Sequence, residues 1–234
     1  MCGEMCADRG RDVTIRAAIF DFDELLINLQ PRHVAAEEAT LAALGHRWGD
    51  LPEAFRRGQS GRRISDMWRD IRAHLALAEP LDALLAARQR HFLADLAAAE
   101  HLPAMPGAAE AVEALHAAGY PLAVTTSGIR EYIVLVLGKL GLADRFAVIV
   151  TGADVTHGKP DPEPYRVTAA RLGTPPGECV VFEDAAIGVA AAKAAGMRCI
   201  GVPNPDAFLA QNLAAADLVL PSLRHFSPAL LARW

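Results

Sequence analysis

Short runs of continuous apolar residues alternate with longer segments of helical spacing along most of this chain. Residues 14–20 (TIRAAIF) are apolar and partly β-branched, stop at acidic residues, and predict a buried strand. Residues 31–44, 62–76 and 80–99 are rich in Ala, Leu and Arg with almost no β-branched residues, and predict helices. The stretch 31–100 therefore reads as a helical bundle without strands. After Pro106 the pattern changes. Helices are predicted over 107–118, 130–140, 164–172, 185–195 and 207–215, and strands over 121–125, 146–151, 179–182, 198–202 and 217–220. Near-continuous apolar strands that alternate with helices imply a parallel sheet covered on both faces. The expected fold class is α/β: a Rossmann-like, doubly wound parallel sheet with a helical bundle inserted after its first strand. The expected domains are an α/β core of residues 1–30 and 101–234 and an inserted helical domain of residues 31–100.

Composition narrows the function classes. A chain of 234 residues holds one large domain, or a domain with an attachment, and needs no disulfide staples. Its 52% hydrophobic content excludes intrinsic disorder. No apolar run approaches the ~18 residues that span a bilayer, so no membrane partner is expected. The net charge of -5 argues against nucleic acid. It does not exclude an anionic small molecule, because one cation or metal ion inverts the field of a site. Cys2 and Cys6 lie in a polar arm and Cys179 and Cys199 in apolar segments, with no zinc-like spacing. Four reduced thiols of a cytoplasmic protein are expected, with a Cys2–Cys6 metal or redox pair as the alternative. Residues 1–13 show no apolar core of a secretory signal. A monomer is the default expectation, with a dimer as the alternative.

In an open parallel sheet, ligands bind at the carboxyl ends of the strands. That rule selects Asp21 and Asp23 after the first strand and Thr125, Thr126 and Ser127 after the second. It selects Asp154 and Lys159 beyond the third, and Glu183 and Asp184 after the fourth. Converging carboxylates repel one another unless a divalent cation lies among them, and hard oxygen ligands suit Mg2+. The metal, Lys159 and Thr125 would cradle a phosphoryl group, helped by the backbone N–H groups of Thr126 and Ser127 at a helix entry. Two carboxylates two residues apart allow one to attack and the other to act as acid and base.

Four segments then carry a resemblance. Asp21-Phe22-Asp23, VTTSG at 124–128, GKPDPEPY at 158–165 and VFEDAAIGVAAAKAAGM at 181–197 resemble, in order, the four motifs of the haloacid dehalogenase superfamily. The fourth has the form common to the β-phosphoglucomutase-like branch, and the insert lies where that family places a small helical cap. The resemblance implies an Mg2+-dependent phosphatase acting on a small phosphorylated metabolite, a sugar or organic-acid phosphate. It implies that Asp21 attacks phosphorus to give an aspartyl-phosphate. Asp23 would protonate the leaving oxygen and then deprotonate water. Asp21, the Asp23 backbone carbonyl and Asp184 would hold the metal, with Glu183 direct or through water, and Thr125 and Lys159 the phosphoryl oxygens. Asp23 disfavours halide displacement, and the absence of Lys from residues 24–120 disfavours the phosphonate-cleaving chemistry of relatives that use a cap lysine. The alternatives are a β-phosphoglucomutase-type mutase and a catalytically weakened relative acting as a binding protein. A receiver-type phospho-switch is disfavoured, because there the metal acids precede the phosphorylated Asp.

The first motif departs from the family pattern. Glu24 replaces the usual Gly, Asn28 the usual Asp, Leu29 the usual Ser or Thr and Gln30 the usual Glu, while Pro31 and His33 are kept. Gly tolerates backbone angles that strain Glu. In the insert, Arg62 and Arg63, near Asp66, are candidates for a cationic clamp on the distal part of the substrate. Arg88 and Arg90 are looser candidates. His33 reads as a hinge histidine, and Trp48, Met67 and Trp68 as packing. Ser127 reads as a helix N-cap, and Glu183 and Asp184 as residues that could also cap the next helix. Asp154 stands equally as a supporting residue of the site or an ordinary loop residue.

Overall fold

A computed structural model of the chain describes residues 14–57, 64–205 and 211–234. Six strands form its sheet: β1 Ala17–Phe20, β2 Leu122–Thr125, β3 Val148–Val150, β4 Cys179–Glu183, β5 Arg198–Gly201 and β6 Leu218–Val219. Their order is β3-β2-β1-β4-β5-β6, and every pair is parallel.

The strands are short and apolar because both faces are covered, and their side chains alternate between two cores. Ala18 and Phe20 of β1, with Val180 and Phe182 of β4, enter one core. Helices α5 (Ala108–Ala117) and α6 (Arg130–Lys139) cover it with Val112, Leu115, Ile133 and Val136. Ala17, Ile19, Cys179 and Val181 enter the other, under α7 (Glu163–Leu172) and α8 (Ala186–Ala194). Gly107 precedes α5 at φ +85°, and a Cβ there would stand 2.1 Å from the Arg224 backbone N. Glycine is thus required for the C-terminal segment to close over this face.

Between β1 and α5 run helices α1 (Gln30–Ala42), α2 (Glu53–Arg57), α3 (Ile64–His74) and α4 (Leu81–Ala98). They share a core of Leu41, Trp68, Ile71 and Leu84, with Met67 buried in it and Trp48 packed at its edge. Ala36 of α1 and Phe92 and Leu96 of α4 join instead the core that contains Phe22, Leu26 and Tyr132, which seats the insert on the carboxyl end of the sheet. The two crossings between insert and sheet lie side by side: Ile27 bridges Ala104, and Met105 N donates to Leu26 O over 2.8 Å.

Two expectations of the chain pattern change. The helix expected over 207–215 is absent from residues 211–215; residues 206–210 lie outside the described residues. There Asn212 Oδ1 accepts from Ala214 N over 3.1 Å, a side-chain turn that competes with helix. Beyond β6, 3-10 turns at Leu223–His225 and Pro228–Arg233 bury Leu223 and Leu231, which the pattern did not announce. No described helix is long and apolar enough to cross a membrane. Cys179 and Cys199 are free and buried, and burial pushes the Cys179 thiol up to about 11. Cys2 and Cys6 lie outside the described residues.

Candidate active site

Strand register builds the site. Phe20 stands opposite Val124 on one side and Phe182 on the other, so the next residues in the row are Asp21, Thr125 and Glu183. Asp21 N donates to Phe182 O over 3.0 Å, which carries the pairing one residue past β1. Lys159 enters from the loop before α7. Its Nζ donates to Asp21 Oδ1 at 2.5 Å, Glu183 Oε1 at 2.6 Å and Thr125 O at 3.3 Å. Its side chain is buried and lies over the Tyr165 ring. Glu183 is held on both oxygens: Oε1 also accepts from Tyr165 OH at 2.5 Å, and Oε2 from Ala185 N at 3.1 Å. A Cβ at Gly188 would stand 1.7 Å from Glu183 Oε1, so the first turn of α8 must carry glycine for this carboxylate to fit.

Carboxylate oxygens of Asp21, Glu183 and Asp184 lie within 4.8 Å of one another. Burial raises the Asp21 carboxyl to about 8; Lys159 opposes the rise and Glu183 adds to it. Burial, with Asp21 and Glu183 beside it, raises Asp184 to about 9. Burial also disfavours the Lys159 ammonium, but Asp21 and Glu183 outweigh that and hold it protonated. One ammonium cannot balance the three buried acids once they ionise. A small divalent cation would supply the balance, and an all-oxygen donor set fits Mg2+.

Asp23 faces a different neighbourhood. Its Oδ2 accepts from Tyr132 OH on α6 at 2.5 Å, with the Thr126 hydroxyl at 3.5 Å. Its Oδ1 is buried without a hydrogen-bond partner, and His33 Nε2 lies 3.9 Å from it. Arg88 Nη2 donates to His33 Nδ1 at 2.5 Å and Arg88 Nε to Glu37 at 3.2 Å. An arginine can only donate, so His33 Nδ1 accepts and the proton of the neutral ring resides on Nε2, toward Asp23. Glu24 adopts φ +67° and donates its N–H to Ile27 O over 2.8 Å, closing the loop after β1. Its carboxylate accepts from Asn204 Nδ2. Burial and then the neighbouring Asp23 raise the Glu24 carboxyl.

Asp21, Asp23, Lys159, Glu183 and Asp184 come together as the strand-end rule expected. Thr125 is a correction. Its hydroxyl is fully buried and lies 2.6 Å from the Thr168 hydroxyl, away from the carboxylates, and only its carbonyl meets Lys159. Successive residues of a strand face opposite ways, so Thr126 turns its hydroxyl to the Asp23 side. There it accepts from Gly128 N over 3.0 Å, in the turn into α6. Ser127 is exposed and Ile129, not Ser127, occupies the N-cap of α6. Glu183, rather than Asp184, bonds the backbone at the entry to α8. Asp154 belongs to the loop: its carboxylate binds Thr151, Arg130 and Arg171. Arg90 is exposed, whereas Arg88 is buried. Arg62 and Arg63 lie outside the described residues. The strand-end rule does not select Tyr132, Thr168 or Asn204. Tyr132 follows Gly128 by four residues, one turn, which is the only sequence signal for it.

Comparison with known proteins matches this architecture. A family model described as haloacid dehalogenase-like hydrolase matches residues 15–196, and the chain belongs to that family. Within it, the chain is a phosphoric monoester hydrolase. It is 35% identical over 215 residues to validoxylamine A 7'-phosphate phosphatase of Streptomyces hygroscopicus subsp. limoneus, covering 89% of this chain and 94% of that one. It is 32% identical to hexitol phosphatase B of Escherichia coli K12, covering 91% and 95%. CbbY from Rhodobacter sphaeroides, crystallised with xylulose-(1,5)bisphosphate, superposes with a TM-score of 0.83 at 29% identity, covering 93% of this chain and 99% of that one.

Proposed function

We propose that this chain is a monomeric, cytoplasmic, Mg2+-dependent phosphatase that hydrolyses a small sugar or organic-acid phosphate through an aspartyl-phosphate on Asp21. One observation carries the reading: Asp21 ends β1 in contact with Lys159 and beside Glu183 and Asp184, while Asp23, two residues on, is held separately by Tyr132. The named substrates of the relatives, a validoxylamine phosphate and hexitol phosphates, favour a sugar-like ester.

The two carboxylates divide the work. Asp21 is held by Lys159 with its second oxygen free to attack phosphorus in line. Asp23 lies outside the acid cluster, held at Oδ2 by Tyr132, and can give a proton to the leaving oxygen and then take one from water. Lys159 offers positive charge to the transferring phosphoryl oxygens, and Thr126 takes the anchoring role expected of Thr125. Asp21, Asp184 and the Asp23 carbonyl would hold Mg2+, which supplies charge neutralisation at the phosphoryl group when bound; Glu183, its oxygens already engaged, supports that set from behind. Residues 31–100 would act as a cap over the core formed by 1–30 and 101–234, with Arg62 and Arg63 meeting the distal part of the substrate.

The test is phosphate release from a panel of sugar, polyol and organic-acid phosphates with Mg2+, repeated with EDTA and with Asp21→Asn. Turnover that needs Mg2+ and vanishes in the variant is expected. Full activity of Asp21→Asn would overturn the nucleophile. Conversion of a hexose 1-phosphate to the 6-phosphate without net phosphate release would make the enzyme a mutase.

A further inference from the structure

Tyr132 is buried, and its hydroxyl donates to the candidate acid–base residue at Asp23 Oδ2, with the Thr126 hydroxyl as a second neighbour. The contact is built from several sides. A Cβ at Gly128 would stand 1.8 Å from the Tyr132 oxygen and 2.5 Å from Cζ, so the turn into α6 leaves the ring just enough room. The ring packs edge-on against Phe92 of α4, with centroids 5.3 Å apart, and beside Phe22, between the two Asp residues of the first motif. His33 of α1 meets it edge-on as well, at 6.4 Å. The helical insert and the sheet thus fix the phenol between them.

We infer that Tyr132 is a positioning residue that fixes the Asp23 carboxyl for proton transfer to the leaving oxygen. The inference rests on the acid–base role of Asp23 proposed above. A phenol O–H aimed at Oδ2 requires an acceptor there, and the Thr126 hydroxyl approaches the same oxygen. Oδ1 is buried, with His33 Nε2 3.9 Å from it, so the carboxylate is held from both sides. In the first step the Asp21–phosphorus bond forms as the ester P–O bond breaks. The leaving oxygen keeps the bonding pair and takes the proton from the Asp23 carboxyl. In the second step water attacks phosphorus, the Asp21–phosphorus bond breaks, and a water proton returns to the Asp23 carboxylate. The phenol donates to Oδ2 throughout and stabilises the carboxylate each time it forms.

The test compares kcat/KM for phenyl phosphate, a poor leaving group that needs the acid, with that for p-nitrophenyl phosphate, which needs it little. Tyr132→Phe removes only the hydroxyl. It is expected to lower the phenyl phosphate value about 10- to 100-fold, to change the p-nitrophenyl value far less, and to melt with the wild type. Gly128→Ala, which displaces the phenol instead of deleting it, is expected to show the same selectivity. Asp23→Ala is expected to show it more strongly, with no added selectivity from Tyr132→Phe in that background. Equal losses on both esters, or none, in Tyr132→Phe while Asp23→Ala remains selective would overturn the role of Tyr132 alone. An unselective Asp23→Ala would overturn the acid–base reading and this inference with it.

Discussion

The Thr125 hydroxyl lies 2.6 Å from the Thr168 hydroxyl, and Thr168 donates onward to Pro164 O. Thr125 is therefore the donor in a chain closed inside the core between β2 and α7, and it has nothing left to offer a phosphate. Thr125→Val is expected to cost about 1 kcal/mol of stability, the net worth of a buried hydrogen bond, with kcat close to wild type. Thr126→Val should do the reverse, lowering kcat about tenfold or more through loss of a donor at the site. Urea denaturation and steady-state turnover of p-nitrophenyl phosphate separate the two. Loss of activity in Thr125→Val with Thr126→Val unaffected would return the phosphate contact to Thr125.

Glu24 holds a left-handed backbone, φ +67°, where the family pattern has glycine, and Asn204 ties its carboxylate. Two substitutions separate backbone from side chain. Glu24→Ala loses the contact and keeps the strained angle, whereas Glu24→Gly loses the contact and relieves the strain. Glu24→Ala should be less stable than Glu24→Gly by about 1 kcal/mol in urea unfolding. Equal stabilities would mean that the loop does not hold this angle in solution. With Asp21, Asp23, Lys159 and Asp184 all in place, Glu24→Gly should change kcat by less than about tenfold. A rise of orders of magnitude would mark the natural chain as a slow member of its family.

The strands and their order of use were legible because a doubly covered sheet leaves unbroken apolar runs, such as AAIF and CVVF, in the sequence. The carboxylates were legible because strand ends and motif spacing locate them. What escaped depended on the phase of the pleat and on the other layer. A strand-end Thr-Thr pair names a place but not which hydroxyl faces it; the alternation of β2 decides. Tyr132 reaches Asp23 across 109 residues of sequence, and only the Gly128 gap hints at the contact. At residues 211–215, Asn212 closes a local side-chain turn in place of the expected helix, which apolar periodicity does not register.

The acid cluster predicts a specific pH dependence. Asp21 and Asp184 are raised from the ordinary carboxylate range to about 8 and about 9 in the metal-free protein, chiefly by burial. Acids raised in the folded state bind protons more tightly there than in the unfolded chain. Their contribution to stability is thus complete below the unfolded value and is lost as pH rises through the folded ones. In EDTA, the melting temperature should fall between about pH 5 and pH 9. Mg2+ should raise it, and by more at the alkaline end, because binding must displace these protons. Asp184→Asn, a permanently neutral mimic, should flatten the EDTA profile and lose most of the Mg2+ response. A wild-type EDTA profile as flat as that of the variant would show that the cluster is not protonated in the window.

Arg88 and Glu37 form a buried ion pair inside the insert, Nε to Oε1 3.2 Å, with side chains only 5% and 4% exposed. Such a pair gains little over apolar packing when intact but is costly to break, because one charge is left buried alone. Arg88→Met is expected to lose about 3–5 kcal/mol, while Arg88→Met with Glu37→Met should recover most of that loss. A loss below about 1 kcal/mol in the single variant would mean that Glu37 simply takes up a proton, a route that its burial-raised carboxyl favours. Arg88 also donates to His33 Nδ1 and lies over the Phe92 ring, so it holds the imidazole whose Nε2 faces Asp23. The double variant restores packing but not that donor. Its urea midpoint should approach wild type while its kcat stays reduced, since His33 is then free to exchange tautomers and to turn. Full recovery of both would confine Arg88 to the fold of the insert.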